Sequence, residues 1–418
     1  MALPGVEIEI GNGGLGRVTA TSDGVAGLLL TGAEVKTKAV NDKGVETETM
    51  LFELGKHYQL SSTKDLSALG ITAENNPLVD HEVRSFYAQA GDGAELHLMV
   101  VANGTKLTAM VNGTESSLGK LIESAAGRIK LVGVNRLEEE NETPDLEKKI
   151  DGDAITAAEK AHQTAESYAG KIMPFRVFLP APHWTGETGN ELYSPSGSSY
   201  NRVAMVLASE GAMKIRESKE GEDAAPDQYP AAIGMVLGRA AKAEPQQDLG
   251  RVKFGSIASD GYFTNGSKFL DKQGVAGILN DAGYIFFLNY PSKNGCYLNG
   301  CPMACDAGDD YAVLNNGRII DKAMRIAYDT YISEIMDNVQ VGSDGKLPSG
   351  VCSSFESMIE NAVASLMDGQ ISSFKAYVDP SQNILSTSTL KVECSIVPLG
   401  VLKTIKVVLA FSNPALEQ

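Results

Sequence analysis

The chain has no run of 18 apolar residues, so no segment of it reads as a membrane-spanning helix and no membrane insertion is expected. Its first 25 residues carry neither a basic start nor an unbroken apolar core, so no secretory signal is expected there. Positive charge is scarce: 36 Lys and Arg face 53 Asp and Glu, a formal net charge of -17. Phosphate contacts need clustered Lys and Arg, so a direct nucleic-acid binder is excluded at this level. The acidic balance suits a soluble protein, or a surface that meets a basic partner. Cysteine is sparse and odd in number, five in 418 residues, which points to reduced thiols in a cytoplasm and not to a disulfide framework.

Catalytic signatures are missing as well. There is no G-x-S-x-G elbow, no H-E-x-x-H and no G-x-x-x-x-G-K-[ST] phosphate loop. The five histidines, at 57, 81, 97, 162 and 183, are scattered, and His97 lies in an apolar strand pattern where a satisfied core histidine is expected. Carboxylate pairs such as Asp309-Asp310 and Glu7/Glu9 read as solvated charge, as does the Asp306, Asp309, Asp310 group. Cys296, Cys301 and Cys305 have the spacing C-x4-C-x3-C. Structural zinc usually shows tighter pairs, and no His lies near, so they read as small buried or semi-exposed thiols. No catalytic, metal-binding or cofactor-binding residue is assigned, and no cofactor is expected.

What is present is a globular composition, 43% apolar and 21% charged, in a chain long enough for two or three domains. The most informative stretch is C-terminal. In Thr389 to Phe411, Leu390, Val392, Cys394 and Ile396 alternate with polar residues, the period of a strand with one buried face. Pro398, Leu399 and Gly400 interrupt it. A second strand follows, with Val401, Ile405, Val407, Leu409 and Phe411 on one face, and it is apolar on both faces from Val407 onward. Such a strand needs cover, from its own body or from a neighbour. Leu3 to Ile10 forms a matching pattern, with Val6, Ile8 and Ile10 pointing one way and Glu7 and Glu9 the other. Both termini are therefore candidate edge strands, and strand addition between chains is a recurring mode of assembly.

Between them the pattern alternates. Short apolar strands are expected at Val25–Leu30, Leu96–Val101, Ile129–Val134, Phe175–Leu179, Val203–Leu207 and Gly283–Leu288. Helices are expected at Leu78–Tyr87, Leu118–Ala126, Ala154–Ala169, Ala231–Ala243, Phe269–Asp281 and Asp321–Val339, and a weak one within Leu51–Leu69. A further one begins at a Ser353 or Ser354 cap and is stopped by Gly369. The alternation argues for a parallel, helix-covered sheet. Glu138 to Lys149 reads as a solvated loop, and Pro180 to Asn201, which holds the sole tryptophan Trp184, as an exposed surface or inter-subunit loop. Gly11 to Gly16 formally spells G-x-G-x-x-G after a strand. The β-branched, polar residues after it carry no helical period, so a flexible linker explains the run better than a dinucleotide site.

These features together resemble the tail-sheath proteins of contractile phage tails and related contractile injection systems. The resemblance rests on the opening P-G-V-x-I-E strand, the closing strand–V-P-L-G–strand, and Asn315 to Ala323, which is similar to an R-x-x-D helix start. Phe355-Glu356 through Met367 and the loop Asp379 to Asn383 add to it, as do the glycine-ended strand after Val25 and the helix, glycine turn and strand before Val101. It covers the whole chain and is strongest over the last roughly 140 residues.

The resemblance implies an α/β fold with an α+β C-terminal part. A helix-covered, largely parallel sheet would form the middle, followed by a C-terminal helix-plus-strand sheath domain, with extended β arms at both termini. It divides the chain into a 1–20 arm and linker, a 21–260 body with outward-facing loops, a 261–400 sheath domain and a 401–418 arm. It further implies stacked hexameric rings of this chain around an inner tail-tube protein, with baseplate and tail-terminator partners. Contraction would drive the tube through a target envelope, without enzymatic activity or nucleotide. The setting would be a virion tail or contractile particle made in the bacterial cytoplasm. Val6, Ile8 and Ile10 on one arm, and Ile405, Val407, Leu409 and Phe411 on the other, are the expected inter-subunit residues. The competing reading is an α/β nucleotide-binding enzyme that uses the Gly11–Gly16 run.

Overall fold

A computed structural model describes residues 22–40, 46–139, 142–189, 191–214 and 227–411. Two compact units part between Asp337 and Asn338.

The first unit is built on a seven-stranded sheet. Its strands are β1 (Ala26–Gly32), β2 (His57–Leu60), β3 (Leu96–Ala102), β4 (Leu131–Asn135), β5 (Arg176–Pro180), β6 (Val203–Val206) and β7 (Tyr284–Ile285). Their order is β7-β6-β5-β4-β1-β3-β2. Every pairing is parallel except the edge pair β2–β3. Leu28 in the centre of β1 stands opposite Leu98 on one side and Gly133 on the other. The largely parallel, helix-covered sheet expected from the alternation is therefore present.

Because β1 is buried on both faces, its alternate residues enter two different cores. Ala26, Leu28 and Leu30 pack with Val79, Val83 and Phe86 of α1 (Pro77–Ala90) and with Ile233, Val236 and Leu237, described below. Leu29 packs on the other face with Leu118, Leu121 and Ile122 of α2 (Ser117–Ser124) and with the alanine face of α3 (Gly152–Ala169). That face, Ala154, Ala157, Ala158, Ala161 and Ala165, follows helical spacing with side chains small enough for close approach to the sheet. A further helix of this sandwich, α4 (Ile233–Lys242), lies against α1 at backbone distance. A side chain at Gly234 would strike the Glu82 carbonyl, and one at Gly238 the Phe86 carbonyl. Two glycines four apart thus give α4 a flat strip for α1.

Several sequence expectations are corrected. The weak helix expected within Leu51–Leu69 is confined to Lys64–Ala68; before it a hairpin strand ends at Phe52 and β2 follows. Pairing with β3 holds His57–Leu60 extended. The helix expected at Asp321 begins seven residues earlier, as α5 (Leu314–Tyr331), and ends in a short 3-10 turn at Glu334. The loop holding Trp184 is not an exposed one at that residue. Trp184 is 1% exposed, packs edge-on against Phe263, and donates its Nε1 hydrogen to the Glu187 carbonyl at 2.9 Å. Leu192 and Tyr193 of the same loop join the core, so the loop folds inward on its own apolar residues.

The second unit contains α6 (Ser349–Leu366) and an antiparallel pair, β8 (Ile371–Tyr377) and β9 (Glu393–Pro398). α6 starts after Pro348, not at Ser353 or Ser354, because proline before the first turn costs no helical hydrogen bond. Gly369 follows the helix with φ +70°, the left-handed backbone that favours glycine. Leu347, Cys352 and Val378 are the buried centre of this unit, with Phe355, Ile384, Leu390 and Val392 packed around them.

Candidate assembly site

Two regions carry the residues that the sequence singled out: the root of α5 and the C-terminal arm.

The N-N-G-R-x-x-D segment forms the first two turns of α5, and its role is to bolt that helix to the sheet. Asp321, 3% exposed, accepts from Arg176 Nε at 2.8 Å and Nη2 at 3.1 Å, and from Arg202 Nη1 at 3.0 Å. Arg176 opens β5 and Arg202 directly precedes β6, so one carboxylate ties two neighbouring strands. Gly317 has no side chain because the Arg176 guanidinium occupies that space, and its carbonyl accepts from Arg176 Nη2 at 3.0 Å. Arg318 points to the other side and donates to the carbonyls of Ala240, at 3.0 Å, and Asp23, at 3.1 Å. Lys322 pairs with the Asp23 carboxylate at 2.6 Å, and Arg325 Nη2 reaches the Pro174 carbonyl at 2.8 Å. Burial works to raise the Asp321 pKa, but Arg176 and Arg202 outweigh it and hold the carboxyl below its usual range. Burial also lowers Arg318 to about 10, which leaves it charged at neutral pH. Asp321 was legible as part of a motif; its partners Arg176 and Arg202 were missed, because nothing local marks a residue whose partner is more than a hundred positions away.

The α5 helix then loses its cover. Tyr328, Ile332, Ile335 and Met336 beyond its buried turns are exposed. Exposure of large apolar residues is heavier still after β9. Val401, Leu402, Ile405, Val407, Val408, Leu409 and Phe411 are all exposed, with Ile405 at 76%, Val407 at 70% and Leu409 at 90%. Residues 399–411 make no strand pairing. The second expected strand is therefore an unpaired arm, and both of its faces are bare. Leu402, on the face opposite Ile405, was not singled out in the sequence; Val408 was included there only through the reading of both faces as apolar from Val407 onward. Val6, Ile8 and Ile10 lie outside the described residues, as does the Gly11–Gly16 run.

Other candidates resolve into local structure. All five cysteines are free. Burial raises Cys305 to about 12 and Cys301 well above the usual thiol range, so both are neutral. Among the described residues no group of three or more His, Cys, Asp or Glu side chains is placed to hold a metal ion. Asp306 and Asp309 cap their own turn, accepting from the backbone of Gly308 and Tyr311. His97 is buried between Glu95, at 2.7 Å, and His57, also at 2.7 Å. His183 pairs with Glu138 at 2.7 Å. Among the described residues no helix is long and apolar enough to cross a membrane.

In fold, the chain is similar to chains of solved contractile assemblies. Over its whole length the chain is similar to a chain of the cryo-EM structure of the anti-feeding prophage (AFP) baseplate, with TM-score 0.59, 14% identity, and 99% of this chain and 100% of that one covered. It is similar to the AFP helical sheath in its contracted state, with TM-score 0.57, 14% identity and 99% of each chain covered. The contracted sheath complex of PVC, an extracellular contractile injection system, gives 0.54 at 14% identity, with 100% of this chain and 99% of that one covered. The resemblance read from the sequence is thus borne out in the fold. By sequence the chain belongs to the DUF2586 family: its residues 3–301 match the DUF2586 N-terminal domain and 310–416 the DUF2586 C-terminal domain. No curated protein matches the chain.

Proposed function

We propose that this protein is the structural subunit of a contractile sheath. It polymerises as stacked hexameric rings around an inner tube and contracts to drive that tube through a target envelope. The observation that carries the reading is the arm at 399–411: exposed, unpaired, and apolar on both faces from Val407 onward. A single chain in water has no reason to keep such a segment, because each fully buried Val, Leu, Ile or Phe gains roughly 1.5–3 kcal/mol. A neighbouring copy that pairs with the arm recovers both backbone hydrogen bonds and apolar burial. The likeness in fold to chains of contracted sheath and baseplate structures supports the same reading.

In this account residues 1–20 and 401–418 are tethers between copies, 21–260 is the body that carries outward loops, and 261–400 supplies contacts near the tube. Val6, Ile8 and Ile10, with Ile405, Val407, Leu409 and Phe411, lock into sheets of neighbouring copies. Contraction moves whole subunits into a more buried packing while the tethers hold, so the driving free energy is stored in the assembly and no nucleotide is consumed. The partners are other copies of this chain, an inner tube protein, and baseplate and terminator proteins at the ends. Negative-stain electron microscopy of the purified chain, alone and with its tube protein, tests this: hollow, axially striated cylinders are expected. Dispersed particles under both conditions would refute it.

A further inference from the structure

The two-stranded sheet of the second unit has two edges, and they are not equivalent. Ala376 N–H of β8 donates to Glu360 Oε1 at 3.1 Å, and Val378 N–H donates to Glu356 Oε1 at 2.8 Å. Both carboxylates come from α6. The spacing is matched: four residues of helix rise about 6 Å, and two residues of strand advance about 6.7 Å. With the helix running opposite to the strand, Glu356 meets Val378 and Glu360 meets Ala376 in step. In an antiparallel pair successive residues point their backbone groups alternately toward and away from the partner strand. Ala376 and Val378 therefore belong to the outward-facing set of β8, and the two glutamates close that edge.

The same alternation identifies the open edge. Cys394 stands opposite Ala376 and Ile396 opposite Phe374, so these residues of β9 point their N–H and C=O groups away from β8. Among the described residues no side chain is bonded to them. The inward set is satisfied through the end of the sheet, where Lys391 N–H donates to Gln382 Oε1 at 2.7 Å and its carbonyl accepts from Gln382 Nε2 at 2.9 Å. One edge is thus sealed from within the chain, and the other is bare.

We infer that Glu356 and Glu360 are an edge guard, which restricts strand addition in the free subunit to the β9 edge, and that the strand received there is the 399–411 arm of a second copy. This deepens the sheath reading and rests on it for the occupant. The arm suits the site on two counts: it makes no strand pairing of its own, and it carries Lys403 and Lys406 with no acidic residue in a chain of net charge -17. The guard has a plain purpose. A sheet with two open edges and a sticky arm extends without control, and blocked edges are the standard remedy.

The test uses a fluorescent peptide of residues 399–411 and the full chain, read by anisotropy and by amide hydrogen exchange. Saturable binding of one peptide per chain is expected, with new protection at Cys394 and Ile396. Ile396→Pro removes an outward N–H that no internal bond uses and should weaken binding by about tenfold or more, whereas Ile396→Val, which keeps the N–H, should leave it within about twofold. The Glu356→Ala/Glu360→Ala chain should take two peptides, and the Glu356→Gln/Glu360→Gln chain, which keeps both acceptors, one. The proposal is overturned by any of four results: no binding, protection at Ala376 and Val378 instead, undiminished binding to Ile396→Pro, or one peptide on the double alanine chain. A chain that binds the peptide as described yet never forms cylinders would refute the sheath function and leave the edge assignment standing.

Discussion

Asp321→Asn keeps the shape of the side chain and removes its charge. The wild-type carboxylate receives three charge-assisted hydrogen bonds, two from Arg176 and one from Arg202. After substitution the two guanidiniums have lost their shared counter-charge. Arg202 keeps Glu166, which is half exposed, and Arg176 keeps the carbonyls of Asn201 and Gly317 and its place over the Tyr311 ring. Removing one partner of a buried ion pair typically costs about 3–5 kcal/mol. The retained contacts place this case near roughly 3 kcal/mol. With a urea m-value of about 3 kcal/mol/M, the midpoint should fall by about 1 M. Trp184 is the sole tryptophan and is buried in the same unit, so its fluorescence reports the transition directly. The sign with pH follows. The Asp321 pKa is lowered on folding, so its contribution is fully present above the unfolded value of about 3.9 and fades as pH falls below it. The gap between wild type and variant should therefore close in acid. A midpoint shift under about 0.3 M at neutral pH would refute the claim that this carboxylate anchors α5.

Further outcomes are expected elsewhere. Phe411→Ala should raise the concentration needed for assembly about tenfold, since losing roughly half of a buried phenylalanine costs about 1.5 kcal/mol; light scattering reads it, and an unchanged threshold would remove Phe411 from the interface. Deleting residues 1–14 should leave a folded, non-polymerising subunit, and cylinders of normal length from that truncation would dismiss the N-terminal arm. Gly238→Ala pushes a methyl group into the Phe86 carbonyl and should destabilise the first unit by about 1–3 kcal/mol in the Trp184 urea assay; a change below about 0.5 kcal/mol would contradict the close α1–α4 packing. At His81 burial opposes the charged ring, yet Glu210, 3.2 Å away, with Glu82 and Asp80, raises its pKa to about 9. Its stabilisation should be full below about pH 6.5 and be lost as pH rises through about 9, a loss that His81→Gln abolishes in thermal melts across that range.

What the sequence made legible was what depends on short-range pattern. β1, β3, β5 and β6 were visible because parallel strands buried on both faces read as compact apolar runs. The alanine face of α3 and the small-residue face of α4 stood out for the same reason. Strand β2 was hidden, since His57 to Leu60 has no clean alternation and is held in place by pairing with β3. The starts of α5 and α6 were misplaced because their first turns carry Asn, Gly and Ser, residues that suit loops. In α5 Gly317 makes room for Arg176, and Asn316 donates to the Asp310 carbonyl. The apolar arm was legible as a strand in need of cover, but that it stands unpaired in the subunit was not. Glu356 and Glu360 were overlooked as site residues although they flank the apolar stripe of Cys352, Phe355, Ile359 and Val363, where a carboxylate turned toward the sheet needs a partner.

The central claim is that the exposed arm is the tether of a polymer. The most direct measurement is electron microscopy of the full chain and of the chain lacking residues 401–418, side by side, each mixed with its tube protein. Striated hollow cylinders from the full chain and only dispersed, folded subunits from the truncated one are predicted. Cylinders of equal length and order from both chains would contradict the account.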